Sequence, residues 1–349
     1  MFLVHNKPPQ APLLAAAIVG ACRLEGGWPT PLQPQLLEVL FEGLLGYKAD
    51  FHTLAPAGAE AVAAALTSPQ QRHELVELMV LMELLCRPIP APLRESVERW
   101  AAVLGVDDNG LLLVRELAAD AQARATADFY RLNWIGDGDP QDDPHFQELL
   151  AHYGTAAYAL TVEANPAITA RWQALAHCPE GSLGKALHRF YRDRGFALPG
   201  VVGAGNQALA HHDWIHVITG YDTTPLGEMQ VTGFMAAASP CRGAMLGFLG
   251  AVCIWETGLQ RSVVVTPSHH TSLADAGAAE QLAAAIARGS RCNVDPLVGI
   301  NYFSIADQPL QAIRHDWGLL DEGGDPRGPV DDERRVQNGE LPGDSAPPP

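Results

Sequence analysis

Apolar residues recur at helix spacing along most of this chain, and clusters of proline and glycine separate them. Between residues 11 and 106 this pattern continues throughout, and its strongest stretches are 36–45, 75–85 and 97–104. Apolar positions three or four residues apart place a continuous apolar stripe on one side of a helix. The pattern therefore predicts an all-α protein.

The length and charge of the chain limit its architecture and its partners. With 349 residues it is long enough for two domains, each with a core of its own. Forty acidic against 23 basic residues give a formal charge of -17. Binding to a phosphate backbone needs a dense basic patch, so we expect no nucleic-acid partner. Any membrane contact would depend on apolar contact or on a local basic patch.

The cysteines and the apolar runs bear on the compartment. The six cysteines include no Cys-x-x-Cys pair, and this fits a reducing cytoplasm. No run reaches the roughly 20 apolar residues that a membrane-spanning helix needs. The segment 13–22 faintly resembles a lipoprotein cleavage site, but Pro8, Pro9 and Pro12 make a poor start for a signal helix. We therefore expect a cytoplasmic protein.

Side chains that can bind a metal are concentrated in the stretch 211–228. On a helix, His212 and His216 stand four residues apart, so both imidazoles project from one face. Asp213 is rotated by about 100° from His212 and would reach the same ion only from the edge of that face or through a water. A turn that contains glycine, threonine and proline follows, and from it a second, antiparallel helix can bring Glu228 back towards the histidines.

Two imidazoles with one or two carboxylates suit a borderline divalent ion, zinc first and otherwise iron, manganese or cobalt. So few protein ligands leave room for water or substrate, which favours catalysis over a structural role. We therefore predict His212, Asp213, His216 and Glu228 as metal ligands and as catalytic residues. The alternative for a histidine pair at this spacing is a set of helix-capping and surface histidines.

Three segments of the C-terminal half carry a family resemblance. They are Pro179-Glu180-Gly181-Ser182-Leu183-Gly184, then His212-Asp213-x-x-His216 followed after eleven residues by Glu228, and finally Gln308-Pro309-Leu310-Gln311-Ala312-Ile313-Arg314. Together they resemble the coenzyme Q biosynthesis family called Coq-four, and the spaced metal motif is the most specific part of the match.

The resemblance implies an all-helical protein in which His212, Asp213, His216 and Glu228 hold a metal usually described as zinc, beside a groove for a polyprenylated aromatic ring. It also implies a peripheral membrane protein of ubiquinone synthesis, at the inner face of the membrane, with other ubiquinone-biosynthesis proteins as partners. Members of the family have been described as organisers of the biosynthetic complex and as enzymes that replace the ring carboxyl at its first carbon with a hydroxyl.

We expect the enzymatic function, which is metal-dependent oxidative decarboxylation of a polyprenylated hydroxybenzoate-type ring. The alternative is a non-catalytic scaffold that binds polyprenyl quinone precursors and organises the biosynthetic enzymes. An HD-type phosphohydrolase fits less well, because that motif takes its other ligands from separate helices. The apolar stretch 235–255 forms either a slot for a prenyl chain or a tight helical core.

Residues 15–27, 69–85 and 101–106 resemble a TerB-type tellurite-resistance domain, which is a helical module. Acidic Asp-Gly turns are thought to bind metal in that family. Here the first turn survives only as Glu25-Gly26-Gly27, and the second is replaced by Cys86-Arg87-Pro88-Ile89-Pro90. We therefore expect a folded adaptor or oligomerisation module, with a homo-oligomer as one outcome, rather than a second metal site.

These features divide the chain into three predicted segments. Residues 1–110 form the TerB-like domain, and residues 111–320 form the metal-binding domain, which contains an acidic, linker-like loop near 136–144. Residues 321–349 are acidic and rich in proline, and they lack the apolar side chains needed to order a tail. Within the second domain, Ser182 is predicted to cap the start of a helix.

Overall fold

The computed structural model describes residues 3, 6–108, 111, 112, 115, 143–260 and 272–320. Within these residues the protein contains thirteen α-helices, five short 3-10 helices and no β-strand, so the predicted all-α fold is confirmed. In chain order the α-helices are α1 (Ala11–Cys22), α2 (Leu32–Leu45), α3 (Ala59–Ala65), α4 (Pro69–Leu84), α5 (Ala91–Leu104), α6 (Pro144–Tyr153), α7 (Pro166–Gln173), α8 (Leu183–Arg194), α9 (His211–Thr219), α10 (Pro225–Ala238), α11 (Arg242–Trp255), α12 (Ala278–Ser290) and α13 (Leu310–Asp316).

Side-chain caps set the start of several of these helices. Ser68, Asp143, Asn165, Ser182 and Thr224 each accept a hydrogen bond from a backbone N–H in the first turn of the helix that follows. Those N–H groups have no acceptor within the helix, so each cap typically contributes about 1 kcal/mol. The cap predicted at Ser182 is confirmed, and Asp143, from the end of the predicted acidic loop, begins α6.

Helix α10 lies between the two largest hydrophobic clusters of the protein. Its residues Met229 and Ala236 join a cluster built from α1, α2, α4 and α5 together with α11 and α12. Its residues Val231 and Phe234 join a second cluster, to which α7, α8, α9 and α13 contribute. Segments from both sides of the boundary predicted near residue 110 thus share one core. The division into two domains stays a prediction.

Glycines allow α12 to approach α10 closely. A Cβ at Gly289 would lie 2.2 Å from the carbonyl oxygen of Phe234, so no larger residue fits there without moving a helix. A Cβ at Gly233 would lie 3.3 Å from the ring of Phe248, which is fully buried. The stretch 235–255, which covers the end of α10 and all of α11, therefore packs tightly where it passes Gly233.

Two sequence-based predictions lie outside the described residues. They concern the acidic loop over 136–142 and the tail over 321–349. Of the helices that the structure does describe, none combines the length and the apolar character needed to cross a bilayer.

Candidate metal centre

Helices α9 and α10 position the four predicted ligands. Helix α9 carries His212, Asp213 and His216, as the spacing predicts, and ends at Gly220. The φ angle of Gly220 is 83°, a left-handed conformation that glycine adopts without strain. Helix α10 then places Glu228 in its first turn, where the helix dipole favours a carboxylate.

The turn between α9 and α10 is held by local contacts. Thr224 Oγ1 accepts a hydrogen bond from the backbone N–H of Gly227 over 3.2 Å, and Asp222 Oδ1 accepts one from the N–H of Thr224 over 2.9 Å. A Cβ at Gly227 would lie 2.2 Å from the carbonyl oxygen of Asp222, so the close approach requires glycine. This turn brings Glu228 back to the histidines of α9.

The ligand atoms of His212, His216 and Glu228 all lie within 4.8 Å of one another. His212 Nε2 is 3.7 Å from Glu228 Oε2, and His216 Nε2 is 3.5 Å from Glu228 Oε1. These separations exceed the 2.7–3.2 Å of ordinary N–H···O hydrogen bonds. Ligand atoms about 2.0–2.1 Å from one tetrahedral zinc ion would stand about 3.4 Å apart. The three side chains therefore fit around a single ion.

A backbone carbonyl orients each imidazole through its other nitrogen. His212 Nδ1 is 2.5 Å from the carbonyl oxygen of Leu209, and His216 Nδ1 is 3.0 Å from that of Tyr221. Because a carbonyl only accepts, each Nδ1 carries a proton and donates it. Each Nε2 is left to face Glu228, which is the arrangement typical of metal-binding histidines.

The cluster is mostly buried, and its electrostatics favour a bound cation. The exposed side-chain fraction is 21% for His212, 16% for Glu228 and 0% for His216, whose Nε2 has no hydrogen-bond partner in the described part of the chain. Burial would raise the pKa of Glu228, but His216 and His212 hold it well below its usual range. Burial would lower the pKa of His212, but Asp213 and Glu228 raise it to about 10. The site thus attracts positive charge, which a divalent ion would supply.

Asp213 lies at the edge of this cluster, as its rotation on the helix predicts. Its Oδ1 is 3.4 Å from His212 Nε2, and its Oδ2 accepts a hydrogen bond from the hydroxyl of Tyr191 on α8. Burial and the neighbouring Asp213 carboxylate raise the pKa of Tyr191 well above its usual value, so the hydroxyl keeps its proton. Tyr191 therefore orients one oxygen of Asp213 and leaves the other towards His212.

The sequence-based predictions gave no role to Tyr191 or to two arginines that hold the end of α9. Arg314 donates to the carbonyl oxygen of Ile218 over 2.8 Å, and Arg288 donates to that of Thr219 over 2.7 Å. The need of a buried tyrosine hydroxyl for a partner could have drawn attention to Tyr191. Its partner, 22 residues away in the chain, could not be identified from spacing.

No protein-family model matches this chain, and a comparison with curated proteins finds no match either. The family resemblance of the motif therefore remains an expectation. What this protein can do is argued from the geometry of His212, Asp213, His216 and Glu228.

Proposed function

We propose that this protein is a metal-dependent enzyme of ubiquinone biosynthesis that replaces the carboxyl group of a polyprenylated hydroxybenzoate-type ring with a hydroxyl. The observation that carries the proposal is the convergence of ligand atoms from His212, His216 and Glu228 within 4.8 Å. Three protein ligands leave a coordination position for water or substrate, as in catalytic zinc sites, whereas structural zinc sites use four.

The overall reaction balances with dioxygen as the oxidant and an external two-electron donor. The ring acid, one dioxygen, two electrons and two protons yield the phenol, carbon dioxide and one water. A bound divalent ion would stabilise negative charge on the ring carboxylate or a neighbouring oxygen as carbon dioxide leaves. Zinc is the first candidate, but it does not change oxidation state. Iron, manganese or cobalt is the alternative if the ion itself must pass electrons.

The residues of the chain have distinct roles in this proposal. His212, His216 and Glu228 hold the ion, and the carbonyl groups behind the two imidazoles fix which nitrogen faces it. Asp213, with one oxygen held by Tyr191, can accept or return a proton at the other. The substrate would approach from the side of His212, which is the most exposed of the three ligands.

Aromatic side chains beside the cluster suit a ring-shaped substrate. The ring of Phe190 stacks on the imidazole of His216, with 5.8 Å between ring centroids and 27° between the planes. Phe196 packs edge-on against Phe190 and is 43% exposed. A polyprenyl tail on the ring would keep the protein at the inner face of the membrane, near the other enzymes of ubiquinone synthesis, through apolar contact.

Turnover by the purified full-length chain tests the proposal. The protein is supplied with zinc, iron or manganese and mixed with a prenylated 4-hydroxybenzoate, dioxygen and ascorbate, and mass spectrometry detects the phenol and carbon dioxide. We expect product from the wild type and at least about a 100-fold loss in His216→Ala, because loss of a ligand should exceed the 10–100-fold effect of losing an outer-shell partner. His315→Ala is the control, since His315 precedes an Asp-Trp pair as His212 does but is 80% exposed.

The same assay separates the enzyme from a scaffold that binds polyprenyl quinone precursors and organises other enzymes. Binding of the prenylated acid without product, with each of the three ions, would refute the enzymatic proposal and favour the scaffold. Wild-type turnover and wild-type metal content in His216→Ala would refute the assignment of the site.

A further inference from the structure

A cavity of about 780 Å³ lies beside α9 on the side away from the histidine cluster. His211 and Trp214 line this cavity, whereas His212 and His216 belong to the cluster. At about 100° per residue, the mean directions of these two pairs are roughly opposite on the helix. The volume falls within the range of about 300–1,000 Å³ that is common for small-molecule sites. The cavity is thus separate from the candidate metal centre.

Aromatic rings form much of the cavity wall. Trp172, Trp214, Tyr302 and Phe303 all line it. Trp214 stacks on Tyr302 with 5.5 Å between centroids and 14° between planes, and Phe303 packs edge-on against Trp214 at 5.2 Å. Trp172, Trp214 and Tyr302 are at most 3% exposed and keep the wall rigid from behind, whereas Phe303 is partly exposed and offers an aromatic surface that a flat ligand can contact.

Two hydrogen-bond donors at the cavity lack an acceptor among the described residues. The guanidinium of Arg171 lies 3.8 Å from the ring centroid of Phe303, and no carboxylate in the described part of the chain pairs with it. The indole Nε1 of Trp172 is buried and has no hydrogen-bond partner in that part either. Because this N–H has almost no accessible surface, Arg171 is the donor of the two that a ligand in the cavity can reach.

The acidic side chain at this cavity does not oppose an anionic ligand strongly. Glu163 also lines the cavity, but its side chain is 53% exposed, so water screens its charge. The guanidinium of Arg171 is exposed and stays charged at all working pH values. Among the described residues that line the cavity, Arg171 is the one lysine or arginine, and its charge favours a ligand with a negatively charged acceptor.

We propose that this cavity binds a small organic anion with a flat apolar body, its carboxylate or phosphate group paired with Arg171 and its body packed against Phe303 and the partly exposed side chains of Leu149 and Ile168. This inference goes beyond the proposed function, because it requires neither the metal nor the reaction. The carboxylate and the phosphate present the same chemistry to Arg171, so the experiment compares both.

Isothermal titration of the full-length chain with three probes tests the proposal. The probes are 2-naphthoate, 2-naphthyl phosphate and 2-naphthol, which share one ring system and differ in the charged group. We expect at least one anion to bind, to quench tryptophan fluorescence and to bind more tightly than the neutral naphthol. The tighter of the two anions identifies the charged group that the site prefers.

Substitutions then locate the binding site. Arg171→Gln should weaken binding of the anion about fivefold, the effect expected for losing one exposed ion pair, and should leave naphthol unchanged. Arg99→Gln on α5 makes the same change in charge at another exposed arginine and should have no effect. His216→Ala should also leave binding unchanged, so failure at the metal centre is distinguishable from failure here. No binding of either anion at millimolar concentration, equal affinity for naphthol, or unchanged affinity in Arg171→Gln would each overturn the proposal.

Discussion

Two buried glutamates, one in α4 and one in α10, have opposite electrostatic surroundings. Glu83 on α4 is fully buried and accepts a hydrogen bond from Nε of Arg115 over 2.8 Å. Among the described residues, the ion-pair neighbours of Glu228 on α10 are His212 and His216, at distances too long for strong hydrogen bonds. The first carboxylate has a permanent cation as its neighbour, whereas the second has two groups that bind either protons or a metal.

The histidines of the two regions differ in the same way. On α4, His73 lies between two carboxylates, with Nδ1 3.3 Å from Glu77 and Nε2 2.5 Å from Asp108. On α9, Nε2 of His216 is buried and lacks a hydrogen-bond partner among the described residues. Both ring nitrogens of His73 thus face a carboxylate of the protein itself, while the α9–α10 cluster leaves a position for an ion. Pairing of both nitrogens of a histidine distinguishes a structural ionic cluster from a candidate ligand site better than burial does.

The largest expected effect is the difference in zinc affinity between variants of the two glutamates. Glu228→Gln is expected to weaken zinc binding by at least about 100-fold, because the amide carries no charge and is a poorer ligand. Glu83→Gln removes an equal charge at a more deeply buried site and should leave zinc affinity unchanged. Competition with a chromophoric chelator measures both affinities. Equal loss in the two variants would show that general destabilisation, not ligation, explains the effect.

The effects on stability should rank in the opposite order, with the larger loss in Glu83→Gln than in Glu228→Gln. Glu83→Gln removes the buried carboxylate partner of Arg115, which keeps the half-exposed Glu98 at 3.5 Å, and should lower the free energy of unfolding by about 3 kcal/mol. Replacing both partners, as in Glu83→Met with Arg115→Met, should restore stability to within about 1 kcal/mol, because an apolar pair of similar volume needs no compensation. Denaturant unfolding of the metal-free protein measures these values. An additive loss in the double variant would contradict the pairing argument.

Local patterns were enough to predict the all-α fold and the positions of the histidines. The spacing of His212 and His216, the glycine and proline of the following turn, and the cap at Ser182 all depend on residues close together in the chain. The position of Glu228 was predictable for the same reason, since a short turn between helices returns the chain to its starting point.

Contacts between distant segments could not be predicted in this way. The hydrogen bond from Tyr191 to Asp213 joins two helices, and the anchoring of α9 by Arg314 joins residues 96 positions apart. The shared core of α10, α12 and the N-terminal helices likewise depends on close packing at Gly289, which no periodic pattern reveals.

A smaller effect should come from the hydroxyl that orients Asp213. Tyr191→Phe removes the donor to Asp213 and should weaken metal binding about tenfold, the low end for loss of an outer-shell partner. Tyr302→Phe is the matched control, since that buried hydroxyl donates to the carbonyl oxygen of Pro296, on the far side of α9. If the two variants lose the same stability but only Tyr191→Phe loses metal affinity, Tyr191 positions Asp213. Equal affinities would limit Tyr191 to packing.

The smallest effect should appear in the pH dependence of the stability that His73 contributes through Glu77 and Asp108. Hydrogen bonds to Asp108 and Glu77 raise the pKa of His73 to about 9, against an ordinary value near 6.5 in the unfolded chain. A raised pKa means that the folded state holds the proton more tightly. The stabilisation is therefore complete below about pH 6.5 and is lost as the pH rises through about 9. Unfolding of wild type and His73→Gln should differ most at pH 6 and converge above pH 9, with or without metal. A difference that does not change with pH would mean that His73 stabilises α4 by packing alone, and the contrast with His216 would then rest on geometry rather than on charge.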